Sequence, residues 1–150
     1  MINKKVLTIL LMSVMVTLLV GCNSLNKYSY DYSKISEIST TSLAISDAYY
    51  NSNSKSKFKK ESKKIIKDLE KIKMKTKEGK DVLKAYVKIS KGLIYNLLDN
   101  WNKNTLDSIN NEKLSKLQQN LNEKLEKFDE KIEELKVESG FYETLEQLKN

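Results

Sequence analysis

The chain has 150 residues, carries 27 basic against 20 acidic side chains for a formal charge of +7, and draws every basic residue from lysine. Histidine, arginine and proline are absent and cysteine occurs once, so the usual general base, the guanidinium clamp for phosphate and a histidine-activated thiolate have no residues to build them. Zinc and di-iron sites lack their nitrogen and sulfur ligands, and glycines at 21, 79, 92 and 140 make no phosphate loop; the chain is expected to be no enzyme and to use neither metal nor cofactor.

The first element, residues 1–20, is read from its charge and apolar run. Met1 to Lys5 is a short positive stretch, and Val6 to Val20 contains nothing more polar than Thr8, Ser13 and Thr17, which is the n-region and h-region of a secretory signal. A membrane span needs about 20 apolar residues, and no positive stop-transfer cluster follows this run. Cleavage is therefore expected, with residues 1–21 as the signal peptide. A disulfide within the chain is excluded, because the lone Cys22 has no second cysteine to meet.

The residues leading into that cysteine, Leu19-Val20-Gly21-Cys22, resemble the lipobox of bacterial lipoproteins. The resemblance covers residues 1–22 alone. It implies that Cys22 receives a diacylglyceryl group, with or without an N-acyl chain such as palmitate, and becomes the first residue of the mature protein. It also implies a membrane anchor and an address on the extracytoplasmic face of the cell membrane, or on an outer membrane in a cell that has one. Two acyl chains anchor stably where one does not, since each buried methylene contributes about 0.8 kcal/mol.

Residues 22–32 read as a lipidated tether, polar except for Leu25 and the alternating Tyr28, Tyr30 and Tyr32. From Ser33 the apolar positions step by three and four through Ile35, Ile38, Ile45 and Tyr49, predicting a first helix that ends near 51–54. A second series, Phe58, Ile65, Leu69 and Ile72 with Ser62 at the missing step, stops at residues 77–81, where Gly79 suits a helix C-terminal cap and Asp81 the next start. The third helix carries Leu83, Tyr86, Leu93, Leu97 and Trp101 and is the most apolar, so it is expected at the centre; Gly92 inside it points to close packing or a bend. Leu114, Leu117, Leu121, Leu125, Phe128, Ile132 and Leu135 make a fourth helix, followed by a short terminal one or a kinked continuation through Phe141, Leu145 and Leu148. Trp101, Tyr86 and Phe128 are expected in the core, while Tyr49, Tyr50 and Trp101 would form a docking patch if exposed together.

The pattern predicts an all-α fold: an antiparallel up-and-down bundle of three to four long helices with coiled-coil-like packing over residues 33–150, preceded by the signal peptide and tether. Lysines at 55, 59, 63, 67, 71 and 75 form one charge row, continued by 80, 84 and 88, and Glu126, Glu130, Glu134 and Glu138 form another of opposite sign. Rows of like charge need compensation, and the expectation is that the two face each other across the bundle like e and g positions of a coiled coil.

The expected function is that of a membrane-anchored envelope lipoprotein working as a non-catalytic protein-interaction module. The alternative is a binder of polyanions, such as teichoic acid, cell wall or anionic lipid, through Lys71, Lys73, Lys75, Lys77, Lys80 and Lys84. Nucleic acid is not expected as a partner, since arginine is absent and no exposed aromatics sit among these lysines for stacking.

Overall fold

The computed structural model describes residues 23–101 and 111–138, and all regular structure among them is helical. The helices are α1 (Asn23–Ile38), α2 (Thr41–Tyr50), α3 (Lys55–Glu70), α4 (Lys77–Asp99) and α5 (Asn111–Glu138). The expected terminal segment through Phe141, Leu145 and Leu148, the expected signal peptide and Cys22 itself lie outside the described residues. No helix among those described is long and apolar enough to cross a membrane.

Helices α1 and α2 form one broken arm. Ser39, Thr40 and Thr41 turn their hydroxyls back onto the carbonyls of Ser36, Glu37 and Ile38 at 2.7, 3.0 and 2.7 Å. Such back-bonding competes with the helical ladder, and here the ladder gives way. The break lets the arm change partners: α1 packs on α4 and α5, whereas α2 packs on α3 and α4. Helix α4 touches every other element, as its apolar sequence predicts.

Named contacts give the directions. Asp31 lies at the start of α4 and Tyr49 at its end beside Trp101, so the first arm runs parallel to α4. Gly92 of α4 faces Leu114 and Leu117 while Lys77 shares a groove with Glu130, so α5 is antiparallel to α4. Phe58 stacks on Trp101 and Glu70 pairs with Lys91, so α3 is antiparallel as well. The result is an up-down-up-down bundle with the hydrophobic seam around α4. We call the end where α1 begins proximal and the end where α2 meets α3 distal.

Because Glu70 already stands at Lys91, α3 covers only the distal part of α4. Lys71 caps α3 in a helical conformation, and residues 72–76 then travel back to the start of α4 as an irregular strap that reaches extended backbone at Thr76, instead of a tight turn. In Lys71-Ile72-Lys73-Met74-Lys75-Thr76 the lysines are exposed while Ile72, Met74 and Thr76 turn inward, a side-chain alternation like that of a strand with one covered face. The predicted cap at Gly79 is therefore corrected. Gly79 lies in the first turn of α4, and Thr76 caps that helix, its Oγ1 accepting from the Gly79 N–H at 2.9 Å.

The tether expected over residues 22–32 is corrected too: from Asn23 onward these residues are helical and packed. Leu25 is 3% exposed, and Tyr28 joins the proximal core with Ile35, Ile38, Val82, Leu121 and Phe128. Leu25, Tyr28, Tyr32, Ile35 and Ile38 continue one three-and-four spacing back from the first predicted helix, which brings them onto a single face.

Candidate functional site

At the proximal end the strap is held by a buried carboxylate. Asp31, 0% exposed, accepts from the backbone N–H of Lys75 and of Thr76, both at 2.7 Å, and from the Thr76 hydroxyl at 2.6 Å. Its charge is thus met by donors at the N-terminus of α4, where the helix dipole also favours an anion. Gly79 makes room: a Cβ there would lie 2.3 Å from Asp31 Oδ2 and 2.8 Å from its Cγ. Beside it the Tyr28 hydroxyl donates to Glu78, and burial, followed by the hydrogen bond and charge of Glu78, holds that hydroxyl well above the usual phenol range. The Tyr28 ring packs on Phe128 with centroids 5.3 Å apart.

This latch determines where the predicted anion-binding lysines go. Lys75 sits with its Nζ 3.9 Å from the centre of the Tyr30 ring, a cation–π contact that leaves its positive charge uncompensated. Lys73 and Lys80 are exposed and make no ion pair among the described residues. Lys71 pairs with Asp68 at 2.8 Å, which holds the Asp68 carboxyl below its usual range, and Lys84 approaches Asp81 at 3.5 Å. Lys77 lines a groove of about 370 Å³ between α4 and α5 in which four lysines meet four carboxylates, including Glu130 and Glu134. The six lysines are therefore not one cradle: Lys73, Lys75 and Lys80 keep their charge available, and Lys71, Lys77 and Lys84 have carboxylates beside them.

The expected pairing of the lysine row with the glutamate row is not what the bundle builds. Helix α3 makes no extended contact with α5, because α4 separates them. Charges instead pair mostly along single helices, as in Lys34–Glu37, Lys116–Glu112, Lys131–Glu134 and Lys136–Glu133, with Lys91–Glu70 joining α4 to α3.

The distal end is aromatic. Tyr49 packs edge-on against Phe58 and Trp101 with centroids 5.4 and 5.0 Å apart, and Phe58 stacks on Trp101 at 5.6 Å. Ile45 and Leu97 complete this second core. Tyr49 and Trp101 are half-buried, so the anticipated patch of three exposed aromatics reduces to Tyr50, 69% exposed, with Leu43, 60% exposed, seven residues earlier on the same face of α2. Phe128 is core as expected, at 1% exposure, and Tyr86 packs against the proximal core cluster from a half-buried position.

Asp31 and Thr76 are the residues that sequence reasoning passed over, while Tyr28 and Tyr30 fall within the expected tether. The alternating strap and the continued helical spacing through Leu25 and Tyr28 were readable signals; the meeting of Asp31 with a backbone more than forty positions away was not. Among the described residues no cluster of His, Cys, Asp or Glu is arranged to hold a metal ion. Comparison with known proteins finds no matching family model, and no match among curated proteins or solved structures.

Proposed function

We propose that this chain is a lipid-anchored protein of the bacterial envelope, attached through Cys22, that works by binding a partner protein and not by catalysis. The observation that carries the reading is the position of Leu43 and Tyr50: two large apolar side chains exposed on one face of α2, at the end of the bundle remote from Asn23. With the acyl group at Cys22, that end would face away from the bilayer, where a partner has free approach. Tyrosine is among the residues that protein contacts most often use as desolvated anchors, and Leu43 adds apolar area on the same face.

A photoreactive amino acid substituted at Tyr50 in intact cells tests this. The expected result is a discrete protein adduct at near-constant ratio that is lost in a Leu43→Ser background. Adducts with wall polymer alone, or none, would sink the interaction reading. The anchor is tested separately by intact mass: a diacylglyceryl increment on the chain beginning at Cys22 is expected, and Cys22→Ser should leave the signal peptide uncleaved.

A polyanion-binding role is the second reading, favoured by the uncompensated charge of Lys73, Lys75 and Lys80. Affinity of that kind falls steeply as salt rises, whereas contacts through Leu43 and Tyr50 should not.

A further inference from the structure

A lipoprotein with a flexible tether can take any orientation above its membrane, but here the chain is helical from the first described residue, Asn23, which follows the cysteine in sequence, and is packed from Leu25 onward. Any anchor at Cys22 therefore pulls on a rigid bundle. From Asn23 to Asp31 the helix spans about 12 Å at 1.5 Å per residue, so the strap lies roughly that far from the anchor point. The bundle can close this distance by leaning, and its charges decide which way.

On the strap side the cations lack counter-charges. Lys27 lies one helical turn nearer the anchor than Asp31 and on the same face; it is exposed and makes no ion pair among the described residues. Lys73 and Lys75 occupy alternate, outward positions of the strap, and Lys80 follows in the first turns of α4. The carboxylates nearby are engaged: Asp31 by three donors, Glu78 by Tyr28, Asp68 by Lys71 and Asp81 by Lys84. The acidic residues Glu126, Glu130 and Glu134 belong to α5.

We propose that Lys27, Lys73, Lys75 and Lys80 form a second membrane contact, bound to anionic phospholipid headgroups, so that the bundle leans on its strap side. This rests on the lipid-anchor reading and gives the lysine face one ligand, the phosphate of a lipid in the same bilayer. A basic segment held beside a membrane is attracted to anionic lipid over about a Debye length, and the acyl anchor keeps the lysines near that range without any affinity of their own. The Asp31 latch has a positioning role, because it fixes the strap against α1.

The test uses the acylated protein extracted from its own membranes, its intact mass read first, then reconstituted into vesicles of phosphatidylcholine alone or mixed with phosphatidylglycerol. Lysine acetylation, mapped by mass spectrometry, reports access. Lys73, Lys75 and Lys80 should be protected several-fold in the anionic vesicles only, with protection lost in about 1 M salt, where the Debye length is about 3 Å. Distal Lys55 and Lys59 serve as internal controls and should react equally in both vesicles. The double variant Lys73→Gln, Lys75→Gln, which alters only exposed positions, should restore the reactivity of Lys80.

Equal reactivity in the two vesicle types overturns the proposal. So does greater protection by soluble teichoic acid than by anionic vesicles, which would make wall polymer the ligand. An intact mass without the diacylglyceryl increment overturns the anchor reading itself, and that outcome is read before any vesicle is made.

Discussion

The two ends of this bundle are held together by different physics. The distal end is an aromatic knot in which Tyr49, Phe58 and Trp101 close around Ile45 and Leu97; its stabilisation scales with buried area and tolerates small shifts. The proximal end adds a directional latch, with Asp31 gripping the backbone of the strap through hydrogen bonds at 2.6 and 2.7 Å. Apolar packing brings helices together, but it does not place a connecting segment to within an ångström. A buried carboxylate with three donors does, and here the placed segment is the one that carries the exposed lysines.

The comparison breaks first at its largest contacts. Phe58→Ala removes a fully buried ring and should cost about 3–5 kcal/mol, read as a lower urea midpoint, with the loss felt across the distal end. Asp31→Ala should cost about 3 kcal/mol, because it strands the Lys75 and Thr76 N–H groups and the Thr76 hydroxyl, each an unsatisfied donor worth about 1–3 kcal/mol. Hydrogen exchange separates the two variants. The amides of Lys75 and Thr76 should exchange faster in Asp31→Ala, beyond what the global loss explains, and should follow only global stability in Phe58→Ala. Uniform acceleration in both would mean that the latch has no local role.

Two glycines sharpen the same contrast at smaller cost. A Cβ on Gly79 would meet the Asp31 carboxylate at 2.3 Å and the Thr76 Oγ1 at 2.9 Å, groups already fixed by hydrogen bonds, so Gly79→Ala should destabilise by about 1–3 kcal/mol. A Cβ on Gly92 would meet the methyl ends of Leu117 and Leu114 at 2.8 and 3.3 Å. Those side chains can rotate, and alanine gains about 1 kcal/mol in helix propensity, so Gly92→Ala should leave the thermal midpoint nearly unchanged. Equal effects at the two positions would remove the distinction between a rigid proximal contact and a yielding one.

What was legible in the sequence follows the same line. Apolar spacing revealed the four arms, the central place of α4 and the core role of Phe128, because each depends on which face of a helix a residue occupies; at Gly92 it left close packing or a bend, and the structure shows the close approach of Leu117 and Leu114. The strap was written as plainly in its lysine alternation, but Ile72 also fits the helical spacing of α3 and concealed it. The first turns of α1 were hidden by tyrosines at every second position, and by an aspartate where a helix core should be apolar. Asp31 becomes a core residue only because Thr76 and Lys75 come to it from across the fold. The lysine and glutamate rows failed as a pair for the same reason: spacing tells which face carries charge, whereas which helix lies opposite is decided by topology.

The finest test of the proximal end is its response to alkali. Tyr28 keeps its proton well above the ordinary phenol value of about 10, so between that value and its own folded value the unfolded chain releases a proton that the folded chain holds. Its contribution to stability is complete below about pH 10 and declines as pH rises further. Tyr28→Phe should cost about 1 kcal/mol near neutrality for the lost bond to Glu78, yet lose less stability than the parent between pH 8 and pH 11. Part of the decline should persist, since burial raises Tyr32 and Tyr86 in the same direction. Urea melts at the two pH values decide the matter. An identical alkaline decline in parent and variant would show that the Tyr28 hydroxyl is solvated, leaving Asp31 alone to hold the strap to α1.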